Sequence, residues 1–416
     1  MNSNFFDALE TRSSDERDQD NLIKLKKLIE KAKNNPLHKK RILAPIQSLL
    51  DIKNIEILRK SDLTKKQIDN PPFANLNIEP LNNFAHIYRS PGPIYDLDGN
   101  KENWWRFARA LHAANFKKGD IVQNCFSYHF TPAGLMFEEA ARILKCTVFP
   151  AGGENSDAQI EVMSQVNTTA YVGVPDFLRI LLEKADQNKI DLPYLKKAMF
   201  SGGPLFPNVA DYFKSKDLNF FQCYGTADLG LIAYEASEKD GMVIDENVIL
   251  EIVTPGTGDP VPEGEVGEVI VTVLDNYELP MIRFATGDLS SFLHGTSSSG
   301  RTNKRIKGWQ GRADQTTKVR GMFVQPSQIN LILKNCFKIN VKSRLIVNRE
   351  NDRDNIHLKI ESNLFNSLEK NNLEKKIVEE MKNIFNLRGS SELVEPKSLP
   401  NDGKIIDDIR DFGDKQ

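Results

Sequence analysis

Short apolar strands alternate with helices through much of the first half of the chain. Strands are predicted at residues 121–125, 146–149, 170–173 and 198–200, with a helical pattern in each interval. Parallel strands need crossover connections of this kind, so the alternation predicts βαβ units and a mainly parallel sheet. Ligands bind such sheets outside the carboxyl ends of the strands, and the loops there are therefore candidate sites.

Length and charge exclude several broad classes of protein. A chain of 416 residues predicts more than one domain. The net charge of −2 lacks the basic excess of a nucleic-acid binder, so no nucleic-acid partner is expected. The four cysteines form no CxxC pair and favour reduced thiols in a cytoplasmic protein. No apolar stretch is long enough to cross a bilayer, so no membrane association is expected.

The two ends of the chain predict different kinds of structure. Residues 1–20 are polar and acidic, and we expect them to be loosely packed before a helix over residues 21–32. The last hundred or so residues indicate a small α+β unit. Its expected elements are a hairpin, a helix at 326–335, strands at 342–347 and 357–360, a helix at 368–385 and a strand at 392–395.

A candidate binding motif follows the Val/Ile-rich strand predicted at residues 268–274. Residues 283–288 have the sequence Arg-Phe-Ala-Thr-Gly-Asp. Thr-Gly-Asp at a strand end predicts a tight turn that presents the carboxylate of Asp288. A carboxylate fixed in this way can accept hydrogen bonds from two hydroxyl groups, which suits a ribose diol.

A second pattern marks a domain boundary. Gly-Arg-Ala-Asp at residues 311–314 and Lys-Val-Arg-Gly at 318–321 follow the serine-rich, polar residues 294–305. The composition changes sharply here. We therefore predict a large domain over residues 1–313 and a small one over residues 314–416.

The two patterns together resemble the core of the adenylate-forming acyl-CoA synthetases, in particular the phenylacetate–CoA ligase branch. The resemblance implies an α/β fold, with a large N-terminal domain of mainly parallel sheets and helices and a small, mobile α+β C-terminal domain. It also implies an enzyme that activates a carboxylic acid, with an aromatic acid as one candidate. ATP would give an acyl-adenylate and pyrophosphate, and coenzyme A would then take the acyl group and release AMP. ATP, Mg²⁺ and coenzyme A are the expected cofactors, and the oligomeric state is left open, a homodimer included.

The resemblance assigns roles to particular residues. Tyr224 offers a ring that could stack on a purine, and Asp228 offers a carboxylate for Mg²⁺. The long stem of Lys404 lets its ammonium reach an anion in another domain, which matches the catalytic lysine of the family. Asp314 matches the hinge between the domains. The nucleotide-binding residues are Ser201, Gly202, Gly203, Tyr224, Gly225, Thr226, Asp288 and Arg312, and the residues of the acyl pocket are Tyr128 and His129.

The chain departs from the family pattern in its phosphate loop. Ser90 and Gly92 are retained, but prolines stand where the family has threonines, and proline has no N–H to donate. Ala227 also replaces a hydroxyl residue, and Asp228 replaces a glutamate. Two alternatives are therefore kept: an adenylyltransferase that stops at AMP transfer, and a non-catalytic relative that binds nucleotides or acyl groups.

Overall fold

A computed structural model describes residues 4–90, 94–238, 240–313, 315–337, 341–400 and 404–411. The described chain divides into two compact units, with the division between Gln310 and Gly311. Two residues with predicted roles, Gly92 and Asp314, lie outside the described residues.

Ten α-helices are formed by the described residues, and none of them combines the length and apolar character that a membrane span needs. The helices are α1 (Ser14–Ala32), α2 (Pro36–Lys39), α3 (Lys60–Asp69), α4 (Phe107–Ala113), α5 (Ala133–Ile143), α6 (Ser156–Gln165), α7 (Pro175–Gln187), α8 (Pro207–Ser215), α9 (Pro326–Cys336) and α10 (Lys370–Phe385). Short 3-10 helices lie at Ala8–Thr11, Leu49–Asn54 and Leu81–Asn83.

The described strands form five separate sheets. The strands of the first unit are β1 (Leu58–Arg59), β2 (Phe84–Arg89), β3 (Tyr95–Gly99), β4 (Ile121–Asn124), β5 (Thr147–Pro150), β6 (Ala170–Gly173), β7 (Lys197–Phe200), β8 (Asn219–Thr226), β9 (Gly230–Tyr234), β10 (Met242–Ile244), β11 (Val248–Val253), β12 (Gly267–Val273), β13 (Phe284–Ser290), β14 (Phe292–Leu293) and β15 (Arg305–Ile306). Those of the second unit are β16 (Thr317–Val319), β17 (Met322–Val324), β18 (Ser343–Glu350), β19 (Arg353–Glu361), β20 (Ser390–Val394) and β21 (Ile406–Asp408).

The main sheet of the first unit has nine strands in the order β14-β15-β10-β9-β8-β7-β6-β4-β5. Strands β5, β4, β6, β7 and β8 are parallel, as the alternation of strands and helices predicts. Beyond β8 the neighbours β9, β10, β15 and β14 pair antiparallel. The α/β fold class is confirmed, but this sheet is mixed rather than mainly parallel. Consecutive strands β8, β9 and β10 pair antiparallel without a crossover, and the later pair β14–β15 extends the sheet beyond β10.

A second sheet of the first unit has the order β1-β13-β12-β11. Every residue of β12 is buried, which explains why Val and Ile dominate its sequence on both faces. The first strand, β1, pairs parallel with β13 at the edge of this sheet, with Leu58 opposite Phe284. This pairing places the beginning of α3 beside the strand that carries Asp288.

The N-terminal segment is packed, so the prediction of loose packing over residues 1–20 is wrong for the part that the structure describes. Helix α1 begins at Ser14, and a capping box between Ser13 and Glu16 fixes its first turn. Glu10 is completely buried and accepts a hydrogen bond from the hydroxyl of Tyr234 at 2.9 Å. Arg109 and Arg301 pair with the Glu10 carboxylate, and a buried charge needs such partners. A polar sequence here reflects a buried ionic contact rather than exposure.

The second unit is a small α+β structure with the elements in the predicted order. Its four-stranded sheet has the order β20-β19-β18-β21, and β16 and β17 form a separate hairpin. Buried apolar residues of α9 and α10, such as Ile329 and Met381, form one core with Leu345 and Leu358 of the sheet. The fold class of this part is confirmed, and the exact position of the predicted domain boundary stays a prediction.

Candidate active site

Asp288 lies inside strand β13, not in a turn at the end of a strand. Ala285 pairs with Ile270 and Leu289 pairs with Glu268, so the three residues between them face only Val269. This bulge contains Gly287 with φ of 76°, a backbone conformation that glycine adopts at little cost. Thr286 donates to the carbonyl of Val269 and accepts the amide of Asp288 at 3.0 Å. The motif therefore forms a bulge that changes the direction of the Asp288 side chain within the strand. The predicted tight turn is wrong.

Two neutral donors hold the Asp288 carboxylate in position. The hydroxyl of Tyr224 donates to Oδ2 at 2.8 Å, and the indole N–H of Trp309 donates to Oδ1 at 3.2 Å. Tyr224 lies near the end of β8 in the main sheet, so this contact joins the two sheets of the first unit. Because the donors are uncharged, they fix the plane of the carboxylate without neutralising it. Only 8 % of Tyr224 is exposed, which limits the ring area open to a purine.

A buried ion pair lies beside these residues. Lys60, the first residue of α3, donates to Oδ2 of Asp228 at 2.5 Å, and Asp228 is 5 % exposed. Burial opposes the charged form of Lys60, but the attraction of Asp228 outweighs it and raises the Lys60 pKa. Asp288 and Asp96 also attract the ammonium. The structure thus brings the predicted metal ligand Asp228 into one electrostatic cluster with Asp288.

The loops after β7 and β8 lie at neighbouring strand ends of the main sheet. The hydroxyl of Ser201 donates to the carbonyl of Cys223 at 3.0 Å, which ties the Ser201–Gly203 loop to β8. A Cβ on Gly225 would lie 2.6 Å from the carbonyl oxygen of Gly230, so only glycine allows this close hairpin. The Thr226 hydroxyl accepts the amide of Leu229 at 3.2 Å and thereby shapes the turn that carries Asp228.

The phosphate-loop segment closes on itself at Ser90. Both the amide and the hydroxyl of Ser90 donate to the carbonyl of Ile94, at 2.8 Å and 3.3 Å. The hydroxyl is therefore engaged within the loop. Gly92 lies outside the described residues. Lys101, a nearby cation, pairs instead with Asp275 at 2.5 Å.

Tyr128 lines a surface cavity of about 530 Å³. Phe130, Leu135 and Tyr88 line the same cavity, which gives it an apolar and aromatic wall. His129 is exposed, and its amide donates to the hydroxyl of Ser127. The structure therefore places Tyr128 in a cavity wall and His129 at the surface.

Arg312 and Lys404 belong to the second unit, whereas the other residues above belong to the first. The Lys404 ammonium pairs with Oδ1 of Asp407 at 3.1 Å, and 55 % of the lysine side chain is exposed. The amide that follows, on Ile405, donates to the side chain of Gln315 at 2.7 Å. This contact holds the backbone between Lys404 and the start of β21.

Three residues of the site were not predicted from the sequence. Lys60 donates to Asp228, and Trp309 donates to Asp288. Asp96 belongs to the same electrostatic cluster. The cluster joins residues that are far apart in the chain, and no local motif connects them. The one available signal was the position of Asp96, immediately after the proline-containing loop.

The sequence matches two models of one enzyme family. The model described as AMP-binding enzyme matches residues 101–273, and the model described as AMP-binding enzyme C-terminal domain matches residues 321–411. The chain is 27 % identical to the phenylacetate-coenzyme A ligase of Pseudomonas putida over 373 residues, which are 85 % of this chain and 84 % of that protein. The identity with the phenylacetate-coenzyme A ligase of Escherichia coli (strain K12) is also 27 %, over the same shares of the two chains.

Solved structures of adenylate-forming enzymes share the fold. A 2-hydroxyisobutyryl-CoA ligase in complex with 2-HIB-AMP and CoA matches with a TM-score of 0.83 and 23 % identity, over 99 % of this chain and 93 % of that chain. IdnL1 matches with a TM-score of 0.55 and 13 % identity, over 80 % of this chain and 71 % of that chain. The likeness confirms the predicted fold class.

Proposed function

This chain belongs to the AMP-binding enzyme family, and we propose that it activates a carboxylic acid with ATP and transfers the acyl group to coenzyme A. The observation that carries the proposal is the Asp288 carboxylate, held by Tyr224 and Trp309 beside the buried Lys60–Asp228 pair. A fixed carboxylate suits the hydroxyls of a ribose, and an adjacent cluster of opposite charges suits a phosphate with its metal.

In the first step, a carboxylate oxygen of the acid attacks the α-phosphorus of ATP. The bond from that phosphorus to the bridging oxygen breaks, and pyrophosphate leaves with the electron pair. Asp288 would orient the ribose, and the loops that carry Ser201, Gly202, Gly203, Gly225 and Thr226 would border the nucleotide. Positioning and charge neutralisation provide most of the catalysis in such a reaction.

Asp228 fits the requirements for binding Mg²⁺. Its Oδ1 atom is buried and has no hydrogen-bond partner among the described residues, and a carboxylate oxygen is the ligand that Mg²⁺ prefers. When bound, the ion would neutralise negative charge on the phosphates. The ammonium of Lys60 neutralises Asp228 in this structure and would have to share or yield that carboxylate.

In the second step, the thiol of coenzyme A attacks the acyl carbon of the adenylate, the bond to the phosphate oxygen breaks, and AMP leaves. The family resemblance implies that Lys404 and Arg312, from the second unit, serve the nucleotide and that Asp314 is the hinge. Tyr128 and His129 would border the acyl group, and the aromatic wall of the Tyr128 cavity favours an apolar acid. Four unpaired cysteines, with the use of ATP and coenzyme A, support a cytoplasmic setting.

Two assays separate this proposal from its alternatives. We expect pyrophosphate release when the protein receives ATP, Mg²⁺ and a member of a panel of carboxylic acids that includes aryl acids. Adding coenzyme A should then give a thioester. Pyrophosphate without a thioester would favour an adenylyltransferase, and no pyrophosphate with any acid would favour a non-catalytic binding protein.

We expect the closed Ser90 loop to weaken binding of the β- and γ-phosphates. The hydroxyl and the amide of Ser90 both donate to the carbonyl of Ile94, and the prolines that follow Ser90 have no N–H to donate to a phosphate. Loss of one hydrogen bond to a charged group costs about 1.5 kcal/mol, or about tenfold in affinity. ATP should therefore bind more weakly than AMP or an acyl-adenylate analogue in calorimetric titrations at one Mg²⁺ concentration. ATP binding as tightly as the analogue would contradict this expectation.

A further inference from the structure

Asp96 is a buried carboxylate for which the reaction described above provides no role. It lies on β3, directly after the loop that Ser90 and Ile94 close, and it is 7 % exposed. Its Oδ2 atom has no hydrogen-bond partner among the described residues. Burying an ionised carboxylate without compensation is costly, so such a group is normally paired or bound to a metal.

Asp228 presents a second carboxylate oxygen of the same kind. Its Oδ1 atom is buried and lacks a hydrogen-bond partner in the described part of the chain, while Oδ2 binds Lys60. The two carboxylates are close enough to repel each other, and Lys60 attracts both. Because Asp228 binds the Lys60 ammonium and Asp96 is attracted by that same ammonium, an additional positive charge would stabilise the two carboxylates together.

We propose that Asp96 and Asp228 together bind one divalent cation, and that Lys60 is a resident counter-ion which this cation displaces from Asp228. Mg²⁺ is commonly held by one or two carboxylates together with phosphate oxygens, so this pair is a sufficient protein contribution. The inference rests on the proposed function only in that the cation is the one that accompanies the nucleotide.

The position of Asp96 gives the arrangement a consequence for the phosphates. A carboxylate directly after the phosphate loop would repel a triphosphate unless a cation lies between them. A metal held by Asp96 and Asp228 would provide that cation, and the displaced Lys60 ammonium would add a second positive charge beside it. The site would thus offset only part of the loss of hydrogen-bond donors that the prolines cause in the loop.

The test measures Mn²⁺ binding to the intact protein without nucleotide, by electron paramagnetic resonance of free Mn²⁺, with Mg²⁺ as competitor. The parent protein should bind one Mn²⁺, and Asp96→Asn should raise its Kd by about tenfold or more. Lys60→Met should lower the Kd by about tenfold, because it removes the competing ammonium. Asp98→Asn is the matched control, since Asp98 lies two residues along the same strand and is bonded by His86 and Tyr88. It should leave the Kd near the parent value.

Melting temperatures of all variants establish that they are folded, and Asp96→Ser, which also removes the carboxylate, replaces Asp96→Asn if the latter is not. No Mn²⁺ binding by the parent, or an unchanged Kd in folded Asp96→Asn, would overturn the two-carboxylate site. An unchanged Kd in Lys60→Met would overturn the displacement. These results are independent of pyrophosphate release: if the parent binds Mn²⁺ as expected but activates no acid, the proposed function fails and the cation site stands.

Discussion

Lys404→Ala is expected to abolish formation of the acyl-adenylate while leaving the second half-reaction intact. The ammonium would neutralise charge that builds on the α-phosphate in the transition state, so its loss should lower the rate more than it weakens substrate binding. Removal of one such preorganised group typically costs about 10²- to 10³-fold in rate. The measurement compares pyrophosphate release with thioester formation from a supplied acyl-adenylate and coenzyme A.

The variant should fold normally, because the contact it removes is a surface ion pair. Lys404 is 55 % exposed and pairs with Asp407 three residues later, and such pairs contribute about 0–1 kcal/mol. Asp407→Asn is the matched control, since it breaks the same pair but keeps the ammonium. It should form adenylate at close to the parent rate.

A variant at the implied hinge should show the opposite pattern. Asp314→Pro would fix φ at that residue and hamper a change in domain orientation rather than the chemistry. It should therefore form adenylate but fail to form the thioester. If Lys404→Ala formed adenylate at the parent rate, Lys404 would be an ordinary surface lysine and the catalytic role of the second unit would lose its support.

The parallel half of the main sheet could be predicted from sequence because its signals are local. Each strand from β4 to β7 is a short apolar run next to a helix, and periodicity detects both. The bulge at Asp288 could not be predicted in this way. It depends on how β13 pairs with β12, where three residues face Val269, and a Thr-Gly-Asp sequence alone is equally compatible with a turn.

The packed N-terminus and the charge cluster were missed for a related reason. Glu10 is buried only because Arg109, Arg301 and Tyr234 come together around it, and these partners lie far along the chain. Lys60 meets Asp228 because β1 pairs with β13 and α3 begins at the end of β1. Burial of a charged residue is a property of the tertiary structure, and composition alone indicates exposure. Asp288 and Asp228, by contrast, could be selected from the local family motifs without knowledge of their tertiary contacts.

Asp288→Ala is expected to weaken nucleotide binding strongly without unfolding the protein. A hydrogen bond to a charged group is worth about 1.5–3 kcal/mol, so losing two ribose hydroxyl contacts would cost about 3–6 kcal/mol. This corresponds to an increase of about 10²- to 10⁴-fold in the Kd for ATP and AMP. Calorimetric titration of both nucleotides measures the effect, and the melting temperature reports on folding.

Tyr224→Phe distinguishes the contribution of the Asp288 charge from that of the hydrogen bonds that orient the carboxylate. This variant removes the hydroxyl that donates to Oδ2 of Asp288 at 2.8 Å but keeps the negative charge and the donor on Trp309. Because the carboxylate would remain present and only less well fixed, nucleotide affinity should fall far less than in Asp288→Ala. An unchanged nucleotide affinity in folded Asp288→Ala would remove Asp288 from the site. Equal losses in the two variants would mean that the orientation of the carboxylate, set by Tyr224, determines ribose binding as much as its charge does.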